Sequence, residues 1–178
     1  LADRRDTLGD TMAATTAPLE RFTPRMQAVL RNVLLMLACL PLVRLGLTTA
    51  DDHRLIATFA PAVGLAWAGL MRWGPAVTPG VWLGLAAGFV WGGASWSLAL
   101  ALATGQALGA CIAAFWLGRA SFDSRLDQPR DLWLLGGAVL CGSAVLSAAN
   151  AATWLMLAGR IPLLDLAGAW LTWWLGEA

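Results

Sequence analysis

Between Arg72 and Arg119 the chain runs 46 residues, Trp73 to Gly118, without a charged side chain. About 20 apolar residues cross a bilayer as a helix, so this run alone has room for two crossings. Leu132 to Gly159 is a second uncharged run, of 28 residues, and Leu55 to Met71 a third, of 17. Asn32 to Val43 spans only 12, but Arg31 and Arg44 can snorkel and extend it. Hydrophobic residues are 58% of the chain and charged residues 13%, against roughly 25% charged in soluble domains. A 178-residue globule has too little interior to hide that apolar surface, which excludes an ordinary soluble domain.

The fold class expected is therefore all-α: a polytopic transmembrane bundle. Its punctuation suggests about six membrane segments, at 26–47, 55–71, 76–92, 96–118, 132–157 and 162–178. The break inside the longest run is placed at "WGGAS", 91–95, where paired glycines weaken a helix. Residues 1–25 read as a polar tail and 26–178 as the embedded domain. Asp165 leaves only Leu166 to Gly176 uncharged in the last segment, so that domain is expected to be incomplete at its C-terminus. With the N-terminus inside, nine arginines lie on the inner side and Arg44, Arg54 and Arg160 on the outer. That bias orients the N-terminus to the cytoplasm of a bacterial inner membrane.

All twelve basic residues are arginine, which reflects codon usage; no basic stripe interleaved with aromatics points to nucleic acid. Cys39, Cys111 and Cys141 each sit in an apolar run without C-x-x-C spacing and read as packing residues. Gly84, Gly88 and Gly92 fall at i, i+4, i+8 and make a smooth ridge for a neighbouring helix. Gly105 and Gly109 repeat the spacing on the next segment. Ser143, Ser147 and Asn150 form a polar row on the fifth, and Gln106 is a further amide at membrane depth; such groups need partners there. His53, the only histidine, lies in "ADDHR" beside Asp51 and Asp52. It cannot make a bis-histidine haem, and single axial ligation of a tetrapyrrole at His53 is the one cofactor alternative to none. No metal site is expected. No H-E-x-x-H, G-x-S-x-G or P-loop is present, so no catalytic residue is assigned.

Several segments resemble a known family when taken in order. "FAPAVGLAWAGLMRWGPAVTPGVWLG" resembles a two-part motif, with Phe59, Pro61, Ala62 and Gly64 in its first part and Pro79 and Gly80 in its second. "GQALGACIAAFWLGRASFDSRLDQPRDLWLL" resembles a helix, an arginine turn and an F-D-x-x-L…R-D linker. "WLTWWLGEA" resembles Trp-Trp-Leu-Gly-Asp-Ala, through Trp173, Trp174, Gly176 and Glu177. The family is the membrane-associated sensor domain of the first type (MASE type one), and the likeness covers about residues 28–178. It implies a module of roughly eight helices that precedes a histidine kinase or diguanylate cyclase output. Three departures stand out: Phe59 replaces a tryptophan, Ala62 a proline and Glu177 an aspartate.

Three functional readings fit. The first is a non-catalytic sensory input module, partnered by the bilayer and an output domain. The second is an accessory structural subunit among other membrane subunits. The third is a small transporter working through Glu177. Trp170, Trp173 and Glu177 share a helix face at i, i+3, i+7, with Trp174 flanking it. They are expected to wall a signal or ligand pocket, with Asn150 as a further polar candidate. A carboxyl group at that depth needs an arginine or its own proton.

Overall fold

The computed structural model describes residues 23–48, 50, 55–56, 60–123 and 127–177, and these residues are helical throughout their regular structure. The helices are α1 (Pro24–Leu47), α2 (Pro61–Trp73), α3 (Thr78–Trp91), α4 (Trp96–Arg119), α5 (Pro129–Leu157) and α6 (Leu166–Glu177). A 3-10 turn precedes α3 and another precedes α6. Among the described residues α1, α4 and α5 are long and apolar enough to cross a membrane. The picture is thus six helices with three of spanning length, rather than six membrane segments or an eight-helix domain. The reason is length: α2, α3 and α6 have 13, 14 and 12 residues. At about 1.5 Å per residue each covers roughly 20 Å, short of a hydrocarbon core about 30 Å thick.

Local chemistry sets the boundaries. Thr23 caps α1 by accepting from the Met26 N–H at 3.4 Å, so the helix opens inside the stretch read as tail; the rest of that tail, residues 1–22, lies outside the described residues. Pro61 opens α2 at a position where the missing N–H costs nothing, which moves this helix's start from 55 to 61. The turn between α3 and α4 falls at 92–95: Gly93 takes φ +94, and Ser95 caps α4 through the Leu98 N–H at 3.4 Å. Asp51, Asp52, His53, Arg54 and Phe59 lie outside the described residues, and with them the tetrapyrrole alternative.

α4 is the centre of the bundle: 56% of its apolar window is buried, against 17% for α1 and 33% for α5. α1 and α3 meet along the glycine ridge. A Cβ on Gly84 would stand 2.6 Å from the Met36 carbonyl oxygen, and one on Gly88 would stand 2.5 Å from Val43 Cβ. Gly80 meets the Asn32 backbone and Gly92 meets Leu47 in the same way. α4 and α5 approach through Gly105, which faces Asn150, and Gly109, whose Cβ would stand 2.8 Å from the Ser143 carbonyl oxygen. Asn150 Nδ2 also donates to the Ala101 carbonyl at 2.8 Å. Large apolar side chains are exposed, Leu164 at 95% and Trp133 at 81% among them, which is compatible with a membrane protein.

α2 and α6 are half-length and meet end to end. The Arg160 guanidinium donates to the Gly93 carbonyl at 3.2 Å, tying the approach to α6 to the α3–α4 turn. From there α6 runs inward about 18 Å. Its penultimate carbonyl, Gly176 O, accepts from the Ala60 N–H at 3.0 Å, just where α2 begins. α2 then continues to the opposite end, where Arg31 lies over Trp73 at 5.9 Å and Asn32 donates to the Ala76 carbonyl at 3.0 Å.

Candidate functional site

The junction of the two half-helices carries a polar cluster. Glu177, in the last turn of α6, presents one carboxyl oxygen to three donors. Gln106 Nε2 of α4 donates to Oε1 at 2.9 Å, Ser147 Oγ of α5 at 2.6 Å, and Trp173 Nε1 of α6 itself at 2.7 Å. Trp173 Nε1 also lies 3.1 Å from Ser147 Oγ. Gln106 and Ser147 each sit about ten residues from the α3–α4 end of their helices, so all three donors lie at one depth, about 15 Å in. Position along α6 explains why the acid arrives there: twelve helical residues reach the same depth.

The sequence expectation gave Glu177 an arginine or its own proton as partner. Among the described residues no arginine reaches it; the partners are three neutral donors from a side-chain amide, a hydroxyl and an indole, an arrangement that leaves the proton alternative open. Those groups can reach the acid because they are carried on neighbouring helices, whereas the arginines cluster at the bundle ends.

A cavity of about 30 Å³ adjoins the cluster, bounded by Glu177, Gln106, Trp173, Phe89, Val43 and the first turn of α2 at Val63. That is room for about two water molecules. Glu177 Oε2 and Gln106 Oε1 are both buried and both lack a hydrogen-bond partner. The amide oxygen is an acceptor, and so is the carboxyl oxygen when ionised, so a hydrogen-bond donor, a cation or the acid's own proton would complete this site. The N-terminal end of α2 faces the same space, and its positive dipole end suits a carboxyl group.

The four candidate pocket residues of α6 divide. Trp173 and Glu177 line the cavity, and Trp173 stacks on Phe89 with centroids 6.1 Å apart. Trp170 and Trp174 stack on each other at 6.1 Å and 6°, on the side toward α5, where Trp174 Nε1 donates to the Leu140 carbonyl at 2.8 Å. Asn150 serves the α4–α5 contact and does not line the cavity. Of the motif positions, Gly64 has open space beside it, while Pro79 and Gly80 lie on α3 where it meets α1. Gln106 and Ser147 were legible only as polar groups at depth; nothing in the sequence assigned them to Glu177, 71 and 30 positions away. Phe89 carried no signal at all. Among the described residues no group of three His, Cys, Asp or Glu side chains is placed to hold a metal ion.

One further irregularity adjoins the cluster. Within α5 the stretch Ala138–Ser143 is π-helical, a wide turn that occurs often at functional sites. The Leu140 carbonyl bound by Trp174 belongs to it. α6 therefore grips α5 twice, at Ser147 through its acid and at Leu140 through its indole. No protein-family model, curated protein or solved structure matches this chain.

Proposed function

We propose that this chain is an integral membrane sensory or signalling input module without catalytic activity of its own, with α6 as the element that responds. The observation carrying this reading is the convergence of α2, α4 and α5 on the last turn of α6 through Gly176 and Glu177. A helix whose end is held by hydrogen bonds from three others is coupled to all of them: a change in packing or in the occupant of the cavity alters those bonds together. The motif order resembling the membrane-associated sensor domains of the first type supports the same reading. So does the arginine asymmetry, which fits an N-terminus in the cytoplasm of a bacterial inner membrane, with the half-helices α2 and α6 embedded beside the three long ones. The cavity beside Glu177 admits only water-sized or ion-sized occupants, so the signal read there is small, or is helix packing itself, rather than a metabolite.

The test is to read the gene beyond Ala178 and to assay any output domain encoded there. A kinase or cyclase whose activity changes in Glu177→Gln, at unchanged membrane levels, supports the reading. A stop codon immediately after Ala178 sinks an output carried on this chain. An output indifferent to both Glu177→Gln and Glu177→Leu sinks the role of the cluster.

A transporter reading draws on one specific observation, the two half-helices that meet at a buried acid, an arrangement used at ion sites of transporters. It requires cation flux in liposomes that is lost in Glu177→Gln. A subunit reading draws on exposed indoles such as Trp133 and Trp96, 81% and 67% exposed, and requires partner proteins that copurify in mild detergent.

A further inference from the structure

A much larger cavity lies away from the Glu177 cluster, at the opposite end of the bundle. It is a groove of about 600 Å³ between the end of α2 and the last turns of α4. Leu70, Met71, Cys111, Ile112, Phe115 and Phe122 line it. Its size is that of a site for a whole small molecule, roughly 300–1,000 Å³, some twentyfold above the space beside Glu177. The side chains that line it are apolar, with some polar backbone between them, so the part of a ligand it encloses is mainly hydrocarbon.

Its rim is cationic. Arg72 follows Met71 in the last turn of α2, and Arg119 ends α4 directly after Gly118; both are exposed. The Arg119 guanidinium lies 4.3 Å from the centroid of the Phe115 ring, a lining residue, which holds the charge at the groove and leaves its N–H edge free. Among the described residues neither arginine has an acidic partner. Acidic groups stand at this end too: Asp131, in the first turn of α5, is buried and accepts from the Asp123 N–H at 3.3 Å, and Asp123, next to the lining residue Phe122, and Asp127 are exposed, but none of them pairs with Arg72 or Arg119 among the described residues. The same end of the bundle holds Arg25, Arg31 and Arg130, whereas the described arginines at the other end are Arg44 and Arg160 alone.

We propose that this groove is a binding site for an anionic phospholipid, an acyl chain lying between α2 and α4 with the phosphate on Arg72 and Arg119. A hydrocarbon trough with two uncompensated guanidinium groups at its head is complementary to such a lipid and not to a zwitterionic one, whose own cation would face the arginines. The site stands whether or not the chain signals, since it shares no residue with the Glu177 cluster. The two are joined through α4: Gln106 and Arg119 are 13 residues apart, about 20 Å along one helix.

Cys111 lines the groove and reports its occupancy directly. In a Cys141→Ser background Cys39 is fully buried, which leaves Cys111 as the accessible thiol. The purified full chain is titrated with phosphatidylglycerol, with phosphatidylcholine of the same acyl chains, and with glycerol phosphate, and maleimide labelling of Cys111 is timed. The expected result is protection by phosphatidylglycerol at roughly tenfold lower concentration than by phosphatidylcholine, two arginines each attracting the headgroup. Arg72→Gln with Arg119→Gln removes that preference, and glycerol phosphate does not protect. Equal protection by the two lipids in the parent protein overturns the proposal, as does protection by glycerol phosphate alone. Should the double variant fail to insert, the lipid comparison in the parent protein still decides.

Discussion

Two of the seams in the bundle are built on opposite principles. The seam between α1 and α3 is made by removing side chains: Gly80, Gly84, Gly88 and Gly92 let one backbone lie against another. The seam joining α6 to α4 and α5 is made by adding polar groups: Glu177 draws an amide, a hydroxyl and an indole onto one oxygen. Where neighbouring helices and lipid tails are equally apolar, close packing and interhelical hydrogen bonds are the two ways to make one contact preferred over another. A glycine seam has one arrangement, because backbone cannot give way. A hydrogen-bonded seam has several, because donors can exchange acceptors at modest cost. The first suits a scaffold and the second a moving part.

The sharpest break of this contrast is Gly84→Val. Its Cβ would fall 2.6 Å from the Met36 carbonyl oxygen and 2.9 Å from Cys39 Cβ, so α1 has to move bodily. Overpacking against backbone should cost about 3 kcal/mol. Equilibrium unfolding in mixed micelles reads this as a large loss of stability, with helix α6 unaffected in local labelling. Full stability in Gly84→Val would mean that the ridge is not a close contact.

The two seams also differ in how far the sequence displays them. Glycines at i, i+4, i+8 announce a ridge because the helix period is local knowledge; only the identity of the partner, α1, required the fold. The uncharged runs likewise displayed α1, α4 and α5, since length and apolarity are additive along a chain. The half-length of α2 was hidden. Leu55 and Ile56 are apolar and buried without being helical, so composition extended the segment past Pro61, its actual start. The cluster around Glu177 was hidden more deeply. An acid, an amide and a hydroxyl on three different segments become one site only when three helices lie at the right depths. The π-helical stretch in α5 was not legible either, its sequence AVLCGS being unremarkable for a buried helix.

On the polar seam the largest expected effect is that of Glu177→Leu. It removes the shared acceptor and leaves the Gln106, Ser147 and Trp173 donors to find others in an apolar interior. A buried donor left without a partner costs about 1–3 kcal/mol, and mutual repair among these three should bring the net to about 2 kcal/mol. Glu177→Gln retains an oxygen at the same place and should cost less than half as much in the same unfolding measurement. Equal losses for the two variants would show that the charge or the proton of the acid, and not its acceptor, stabilises the seam. Trp173→Phe should be comparable in size to Glu177→Gln. It keeps the stack on Phe89 and deletes one N–H donor, for about 1 kcal/mol.

The smallest effect is expected at Trp174, and it separates two explanations of the π-helical stretch. The wide turn at Ala138–Ser143 leaves carbonyl groups less well served by the helix than in α geometry, and the Leu140 carbonyl receives the Trp174 N–H at 2.8 Å instead. Trp170, stacked within 6° of parallel, holds the Trp174 ring in place. If the indole sustains the wide turn, Trp174→Phe should change global stability by only about 0.5 kcal/mol, yet speed amide exchange at 138–143 several-fold while leaving α4 unchanged. If the wide turn is intrinsic to α5, exchange there stays as it was and only the bond is lost. The first outcome would make the shape of α5 depend on where α6 sits, so that both grips of α6, the acid at Ser147 and the indole at Leu140, act on a helix able to change its winding. The second would confine any movement to the polar seam itself.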